Sequence, residues 1–173
     1  MSEPRTYDRY PGCIVVSSNL VSLAIIAIGA YVLASLWIWL LVPYLLYCLW
    51  LEYRLLKTAC INCTYFGEAC AFGKGKLCSM MFAPGDPQRF GNRESSWLAV
   101  VPDFLVSILP SFGGIVLLVV EGWDWVVVGL LILLVALAFG VTPAVRGSMA
   151  CRYCKQRLIA CPAYELFGGT SGD

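Results

Sequence analysis

Cysteine recurs with the same spacing at two places in this chain. Residues 60–70 read CINCTYFGEAC and residues 151–161 read CRYCKQRLIAC, so both segments follow C-x2-C-x6-C. A turn with two residues between cysteines lets both sulfurs point at one metal ion about 2.3 Å away. We call these the first and second cysteine motifs. With Cys78, they supply seven candidate metal ligands: Cys60, Cys63, Cys70, Cys78, Cys151, Cys154 and Cys161.

Three kinds of metal site are compatible with these thiols. In a zinc clamp, the two C-x2-C pairs meet at one tetrahedral ion, which leaves the third cysteine of each motif unused. In an iron–sulfur protein, the first motif and Cys78 hold one cluster, and the second motif gives three thiolates to another. A soft-metal handler would bind Cu(I) or Zn(II) transiently for transport or delivery. Free thiols or a metal-free dithiol are a fourth option, so the cofactor, iron–sulfur cluster or Zn(II), stays unresolved here.

Other chemistry is restricted by composition. The chain has no histidine, which excludes histidine general-base catalysis, histidine-ligated haem and mixed Cys/His zinc sites. No hydrolase triad, paired-carboxylate site or nucleotide-binding fingerprint is present, so no catalytic residue is assigned. A net charge of +1 gives no reason to expect a nucleic-acid partner.

The elements that carry the cysteines are predicted to cross a membrane. Apolar residues make up 60% of the chain and charged residues only 13%, against the usual quarter. No charge occurs over residues 10–51, a stretch of 42 residues. A helix crosses the hydrocarbon in about 20 residues, so we expect two crossings there, near Ile14–Leu33 and Leu36–Leu55, with a turn around Ser35. Uncharged residues 104–120 and 125–145 flank an acidic turn at 121–124 and predict two more crossings.

The predicted fold is therefore an all-α integral membrane protein with four transmembrane helices. Each half reads as a hairpin with W-x-W at its tip, followed by a cysteine motif, so we interpret the hairpins as a parallel internal repeat. The whole chain, residues 1–173, forms a single membrane domain. Its parts are a first hairpin (14–55), a cysteine-rich loop (56–96), a second hairpin (97–145) and a cysteine-rich tail (146–173).

Charge predicts the orientation in the membrane. All twelve basic residues fall on one side of the four predicted crossings. Basic residues beside spans remain in the cytoplasm, so we expect a multi-pass protein of the cell (inner) membrane with both termini and the long loop cytoplasmic. The expected partners are the lipid bilayer and, for the zinc clamp, a protein partner at the cytoplasmic face.

A few other residues have specific expectations. Pro102 and Asp103 suit the first turn of a helix, and Asp103 is either an interface residue or a buried functional carboxylate. Cys48 is expected to be an ordinary small apolar residue in a helix. The glycines around Lys74 are expected to form turns that bring backbone N–H groups close to the thiolates.

Overall fold

The computed structural model describes residues 6–90, 97–159 and 161. Within them the chain is helical and contains no β-strand. The α-helices are α1 (Gly12–Leu36), α2 (Leu41–Thr58), α3 (Lys74–Met81), α4 (Trp97–Val120), α5 (Trp125–Val135) and α6 (Thr142–Val145). A π-helical segment, Ala136–Val141, joins α5 to α6, and a second one, Arg146–Ala150, follows α6.

Four helical stretches are long and apolar enough to cross a membrane. They are Gly12–Leu36, Ile38–Asn62, Val101–Val120 and Trp125–Tyr153. This confirms the all-α prediction with four candidate crossings and indicates a membrane protein. Polar backbone groups have no water partner in hydrocarbon, and a continuous helix satisfies them within the segment.

The break in the first hairpin lies two residues later than expected. Helix α1 runs to Leu36, and Trp37 has an extended backbone with φ −163° and ψ 120°. A 3-10 turn, Ile38–Leu40, then leads into α2. The sequence around Ser35 is apolar on both sides, so no local signal distinguishes Ser35 from Trp37 as the end of the helix.

The break in the second hairpin lies at the predicted acidic turn. Gly122 has φ +96°, a conformation that residues with a side chain rarely adopt. The Asp124 carboxylate then accepts the Val126 N–H at 2.9 Å and caps the start of α5. The turn therefore comes from one glycine and one capping residue.

The expectation that Pro102 and Asp103 begin a helix is wrong. Helix α4 begins at Trp97, so both residues lie in its second turn, and Asp103 is exposed. The Tyr47 hydroxyl donates to the Pro102 carbonyl at 2.8 Å.

The chain divides into two compact units. The cysteine unit comprises Met1–Asn19, Tyr53–Ala99 and Ala144–Asp173, and the span unit comprises Leu20–Glu52 and Val100–Pro143. All seven candidate ligands belong to the cysteine unit. Its core contains the buried residues Tyr10, Ile14, Tyr65, Ala71 and Ala150.

Helices of the span unit approach one another closely at small residues. Gly113 lies against Leu33 and Gly114 against Leu131, as expected where helices approach closely in membranes. Cys48 is buried with Leu33 and Tyr44, which agrees with its expected role as an apolar residue.

Candidate metal centre

The first cysteine motif begins where α2 ends. A 3-10 turn covers Cys60–Asn62, and the Cys63 N–H donates to the Cys60 carbonyl at 3.3 Å. Cys63 then leaves the turn in an extended conformation, with φ −91° and ψ 142°. This exit lets the backbone N–H of Tyr65 donate to the Cys63 sulfur.

The second cysteine motif has the same local geometry. A 3-10 turn covers Cys151–Tyr153, and the Cys154 N–H donates to the Cys151 carbonyl at 3.2 Å. Cys154 is extended, with φ −82° and ψ 127°, and its sulfur accepts the backbone N–H of Gln156. In both motifs the residue two positions after the second cysteine therefore holds that cysteine's sulfur.

The third cysteine of the first motif is positioned by a glycine loop. The Gly75 N–H, in the first turn of α3, donates to the Cys70 sulfur at 3.4 Å. Gly73 has φ +69°, and the Gly73 N–H donates to the Cys70 carbonyl at 2.9 Å. The expectation that these glycines bring N–H groups to a thiol is confirmed at Cys70.

Cys78 lies one helical turn beyond this loop and is fully buried. Its sulfur donates to the Leu56 carbonyl at 3.6 Å. Burial raises the pKa of this thiol, and the neighbouring Cys70 thiol raises it further. Cys78 is therefore a protonated, buried thiol beside the first motif in the metal-free chain.

The first motif and Cys78 form one group of thiols. The sulfur of Cys60 is close enough to those of Cys63, Cys70 and Cys78 for their charges to interact. The ammonium group of Lys74 also interacts with Cys60. A positive charge in this position favours thiolates.

The second motif forms an adjoining group. Cys161 interacts with both Cys151 and Cys154, and Arg146 interacts with Cys151. Cys63 of the first motif interacts with Cys154 and with Cys161. The two groups are thus neighbours, and the third cysteine of each motif lies near enough to the first two for their charges to interact.

No three Cys, Asp or Glu side chains among the described residues are gathered tightly enough to hold one metal ion. The thiols are neighbours, but neither the four cysteines of the zinc clamp nor the cysteines of either predicted cluster form a ready-made metal site. Cys13 is exposed, and Cys48 belongs to the span unit.

Burial determines the protonation of Cys63 and Cys154, the second cysteines of the two motifs. It raises the pKa of Cys63 and raises that of Cys154 to about 12. Hydrogen bonds from the backbone N–H groups of Tyr65 and Gln156 lower the pKa of Cys63 and of Cys154, respectively. The effect of burial is larger, so both pKa values remain raised. Both thiols are protonated at neutral pH, so metal binding would have to release their protons.

Direct hydrogen bonds join the two motifs. The Gln156 Oε1 atom accepts the Thr64 N–H and the Thr64 hydroxyl, both at 3.0 Å. The Tyr65 hydroxyl accepts the Lys155 N–H at 3.1 Å. Gln156 is 1% exposed and Tyr65 is 2% exposed, so these bonds are shielded from water.

The N-terminal segment packs against both motifs through tyrosines. The Tyr10 hydroxyl donates to the Ala150 carbonyl at 2.5 Å, directly before the second motif. The Tyr65 hydroxyl donates to the Tyr7 carbonyl at 2.6 Å, and the Tyr7 N–H donates to the Tyr153 carbonyl at 3.1 Å. This segment therefore fixes the first motif relative to the second.

Sequence reasoning missed Tyr10, Tyr65 and Gln156. One signal was available, because Tyr65 and Gln156 occupy the same position in the two motifs, two residues after the second cysteine. No comparable signal marks Tyr10.

Comparison with protein-family models, with curated proteins and with solved structures gives no match to this chain. The geometry of the cysteine unit is the remaining guide to function.

Proposed function

We propose that this protein is a multi-pass protein of the cell membrane that carries electrons on iron–sulfur clusters held by its two cysteine motifs. One observation carries the proposal: the third cysteine of each motif lies near enough to the first two for their charges to interact. A zinc ion shared by the two C-x2-C pairs has no use for a third cysteine. Iron–sulfur clusters commonly take four thiolates.

Two clusters account for all seven thiols. Cys60, Cys63, Cys70 and Cys78 would hold the first cluster, and Cys151, Cys154 and Cys161 would give three ligands to the second. Bound clusters of this kind supply one-electron transfer. The chain contributes N–H donors to the sulfurs from Tyr65, Gly75 and Gln156, and such hydrogen bonds tune the reduction potential.

The proposed orientation places this chemistry on the cytoplasmic side of the bilayer. All twelve basic residues lie on one side of the four crossings, which favours cytoplasmic termini and a cytoplasmic loop. The cytosol keeps thiols reduced, so they are available as ligands. The two hairpins are proposed to be a parallel repeat, which the matching geometry of the two motifs supports.

A structural zinc clamp is the second candidate. The direct hydrogen bonds between the two motifs favour it, because they hold the two C-x2-C pairs side by side. One zinc ion on the four cysteines of those pairs would then stabilise the cytoplasmic surface for a protein partner. Such a protein would be colourless, whereas iron–sulfur clusters absorb visible light.

Composition analysis tests the proposal. The full-length protein is purified in detergent without oxygen, and iron, zinc, copper and acid-labile sulfide are measured with a visible spectrum. We expect iron with sulfide and a broad visible band. Zinc in a simple ratio to the chain, without colour, would replace the proposal with the clamp. An ion that passes readily to competing thiols would indicate a soft-metal delivery protein.

Substitution of the third cysteines separates the two candidates further. We expect Cys70→Ser and Cys161→Ser each to lose iron and sulfide, because each removes a cluster ligand. The matched control is Cys13→Ser, which changes an exposed cysteine outside the motifs and should leave the metal content unchanged. Full retention of metal by both third-cysteine variants would contradict the cluster assignment and support the zinc clamp.

A further inference from the structure

The hydrogen bonds between the two cysteine motifs are reciprocal. The N–H of Thr64, one residue after Cys63, donates to the side chain of Gln156. The N–H of Lys155, one residue after Cys154, donates to the side chain of Tyr65. The arrangement is the same in both directions. The N–H of the residue that follows the second cysteine of one motif donates to a side chain of the other motif. That side chain belongs to the residue two positions after the second cysteine.

Tyr65 and Gln156 each contact both motifs. The backbone N–H of Tyr65 holds the sulfur of Cys63, and its hydroxyl holds the backbone that follows Cys154. Gln156 does the converse, with its N–H on the sulfur of Cys154 and its Oε1 on Thr64. A movement of either sulfur is therefore transmitted by one residue to the backbone of the opposite motif.

Both residues are also fixed by further contacts. The Gln156 Nε2 atom donates to the Pro87 carbonyl at 3.1 Å. The Tyr65 hydroxyl donates to the Tyr7 carbonyl, and the Tyr65 ring packs edge-to-face on that of Tyr10, with centroids 5.4 Å apart. These contacts leave the two side chains little freedom to adjust separately from the motifs.

We propose that Tyr65 and Gln156 are positioning residues that couple the two motifs, so that metal bound at one motif raises the affinity of the other. This inference rests on the proposed metal-binding function, but it needs only thiolate ligands and not a particular metal. Metal at the first motif draws the Cys63 sulfur toward its partner thiols, which are not gathered around one point in the metal-free chain. The hydrogen bonds carry this shift to the second motif, so part of the rearrangement that its own metal requires is already made. The coupling is reciprocal by thermodynamic necessity.

Cobalt(II) is a suitable probe because thiolate–cobalt absorption reports directly on sulfur ligation. The full-length, metal-free protein in detergent is titrated with Co(II) without oxygen. In one background the first motif is intact, and in the other it is disabled by the double change Cys60→Ser and Cys63→Ser. We expect the disabled background to weaken Co(II) binding at the second motif roughly 5- to 150-fold, the range typical of coupled sites.

The same comparison is then made with the coupling side chain removed. Gln156→Met keeps the approximate length of the side chain but removes the acceptor for Thr64. In this variant, disabling the first motif should change the Co(II) affinity of the second motif by less than about twofold. Gln156→Glu retains an acceptor oxygen and should restore much of the coupling. The matched control is Gln88→Met, which makes the same change at an exposed position and should keep full coupling.

Three results would overturn the inference. One is equal affinity of the second motif whether or not the first is intact. Another is an undiminished effect in Gln156→Met, provided that this variant elutes and unfolds like the Gln88→Met control. Tyr65→Phe, which removes the Lys155 acceptor, gives an independent second variant for the same comparison. The third is the absence of thiolate–cobalt absorption in the unsubstituted protein. The proposed function is tested separately, by the content of iron and sulfide in the purified protein.

Discussion

At Gly75 the chain passes so close to two carbonyl groups that a side chain cannot be added without moving the backbone. A β-carbon there would clash with the Tyr65 carbonyl and lie 2.6 Å from the Glu68 carbonyl. The same residue donates its N–H to Cys70. The absence of a side chain thus lets the loop close on the first cysteine motif.

We therefore expect Gly75→Ala to lower the free energy of unfolding by about 1–3 kcal/mol, the usual cost of overpacking. Unfolding in detergent, followed by circular dichroism, measures the change. Gly129→Ala is the matched control, because nothing lies within 4 Å of a β-carbon at Gly129. Equal stability of the two variants would contradict this account of the loop.

Protonation of the buried thiols predicts how stability depends on pH. The pKa of Cys154 is raised to about 12, and that of Cys63 is raised also, chiefly by burial. In the unfolded chain a thiol loses its proton near pH 8.5. Above that pH the unfolded chain binds fewer protons than the folded one, so stability falls as pH rises.

The metal-free protein should accordingly be most stable below about pH 8.5 and lose stability progressively toward pH 12. Chemical unfolding at neutral pH and at about pH 10 measures the difference. Cys154→Ser should show a smaller loss, because it removes one of the responsible thiols. A stability that rises over this interval would show that the thiols ionise more easily in the folded chain.

Among the elements, α2 and α4 meet at a proline. Pro110 has no N–H, so the Val106 carbonyl four residues earlier lacks its usual helical partner. The hydroxyl of Tyr44 donates to that carbonyl at 3.0 Å. Gly29 in α1 makes room, because a β-carbon there would clash with this hydroxyl. A tyrosine on one helix thus satisfies a carbonyl that a proline leaves open on another.

Tyr44→Phe should destabilise the span unit by roughly 0.6 kcal/mol, and by at most about 1.7, as measured for hydrogen bonds within membrane proteins. Unfolding in mixed micelles of mild detergent and dodecyl sulfate gives the free energy. Tyr31→Phe serves as the control, since the Tyr31 side chain is exposed. A loss no larger than that of Tyr31→Phe would show that this hydrogen bond contributes little.

In the two proposed repeats, different numbers of residues separate the W-x-W sequence at the hairpin tip from the cysteine motif. Trp39 and Cys60 are 21 positions apart, whereas Trp125 and Cys151 are 26 apart, a difference of five. Both π-helical segments lie in the longer interval. A π turn takes more residues than an α turn, so it accommodates extra residues with a smaller increase in helix length. The mismatch is therefore compatible with hairpins of similar height.

For the whole molecule, the distribution of charge makes a prediction about topology. The four predicted crossings put all twelve basic residues on one side, which is expected to be cytoplasmic, and the turn at 121–124 on the other. Alkaline phosphatase inserted in that turn should therefore be active. Fluorescent protein fused after Asp173 should fluoresce. Phosphatase fused at the same C-terminal position is the control and should be inactive. The opposite pattern of activities would invert the proposed orientation and place the thiols outside the cytosol.

The sequence by itself determined the all-helical class, the four candidate membrane crossings and the repeated cysteine turns. Each of these follows from local properties. A bilayer demands about 20 apolar residues per crossing, and a C-x2-C turn closes within four residues. Gly122 and Asp124 likewise carry their own turn and cap signals. The exact end of α1 was not predictable, because apolar residues continue on both sides of the break.

Only the tertiary structure decided which thiols lie together and what joins the motifs. Thr64 and Gln156 are 92 positions apart, and Tyr10 and Ala150 are 140 apart. No periodicity or spacing records such pairs, because they depend on how separate segments pack. The third cysteines were placed in the same way. Their spacing was visible in the sequence, but their nearness to the first two cysteines depends on the packing of the cysteine unit and, for Cys70, on the N–H of Gly75.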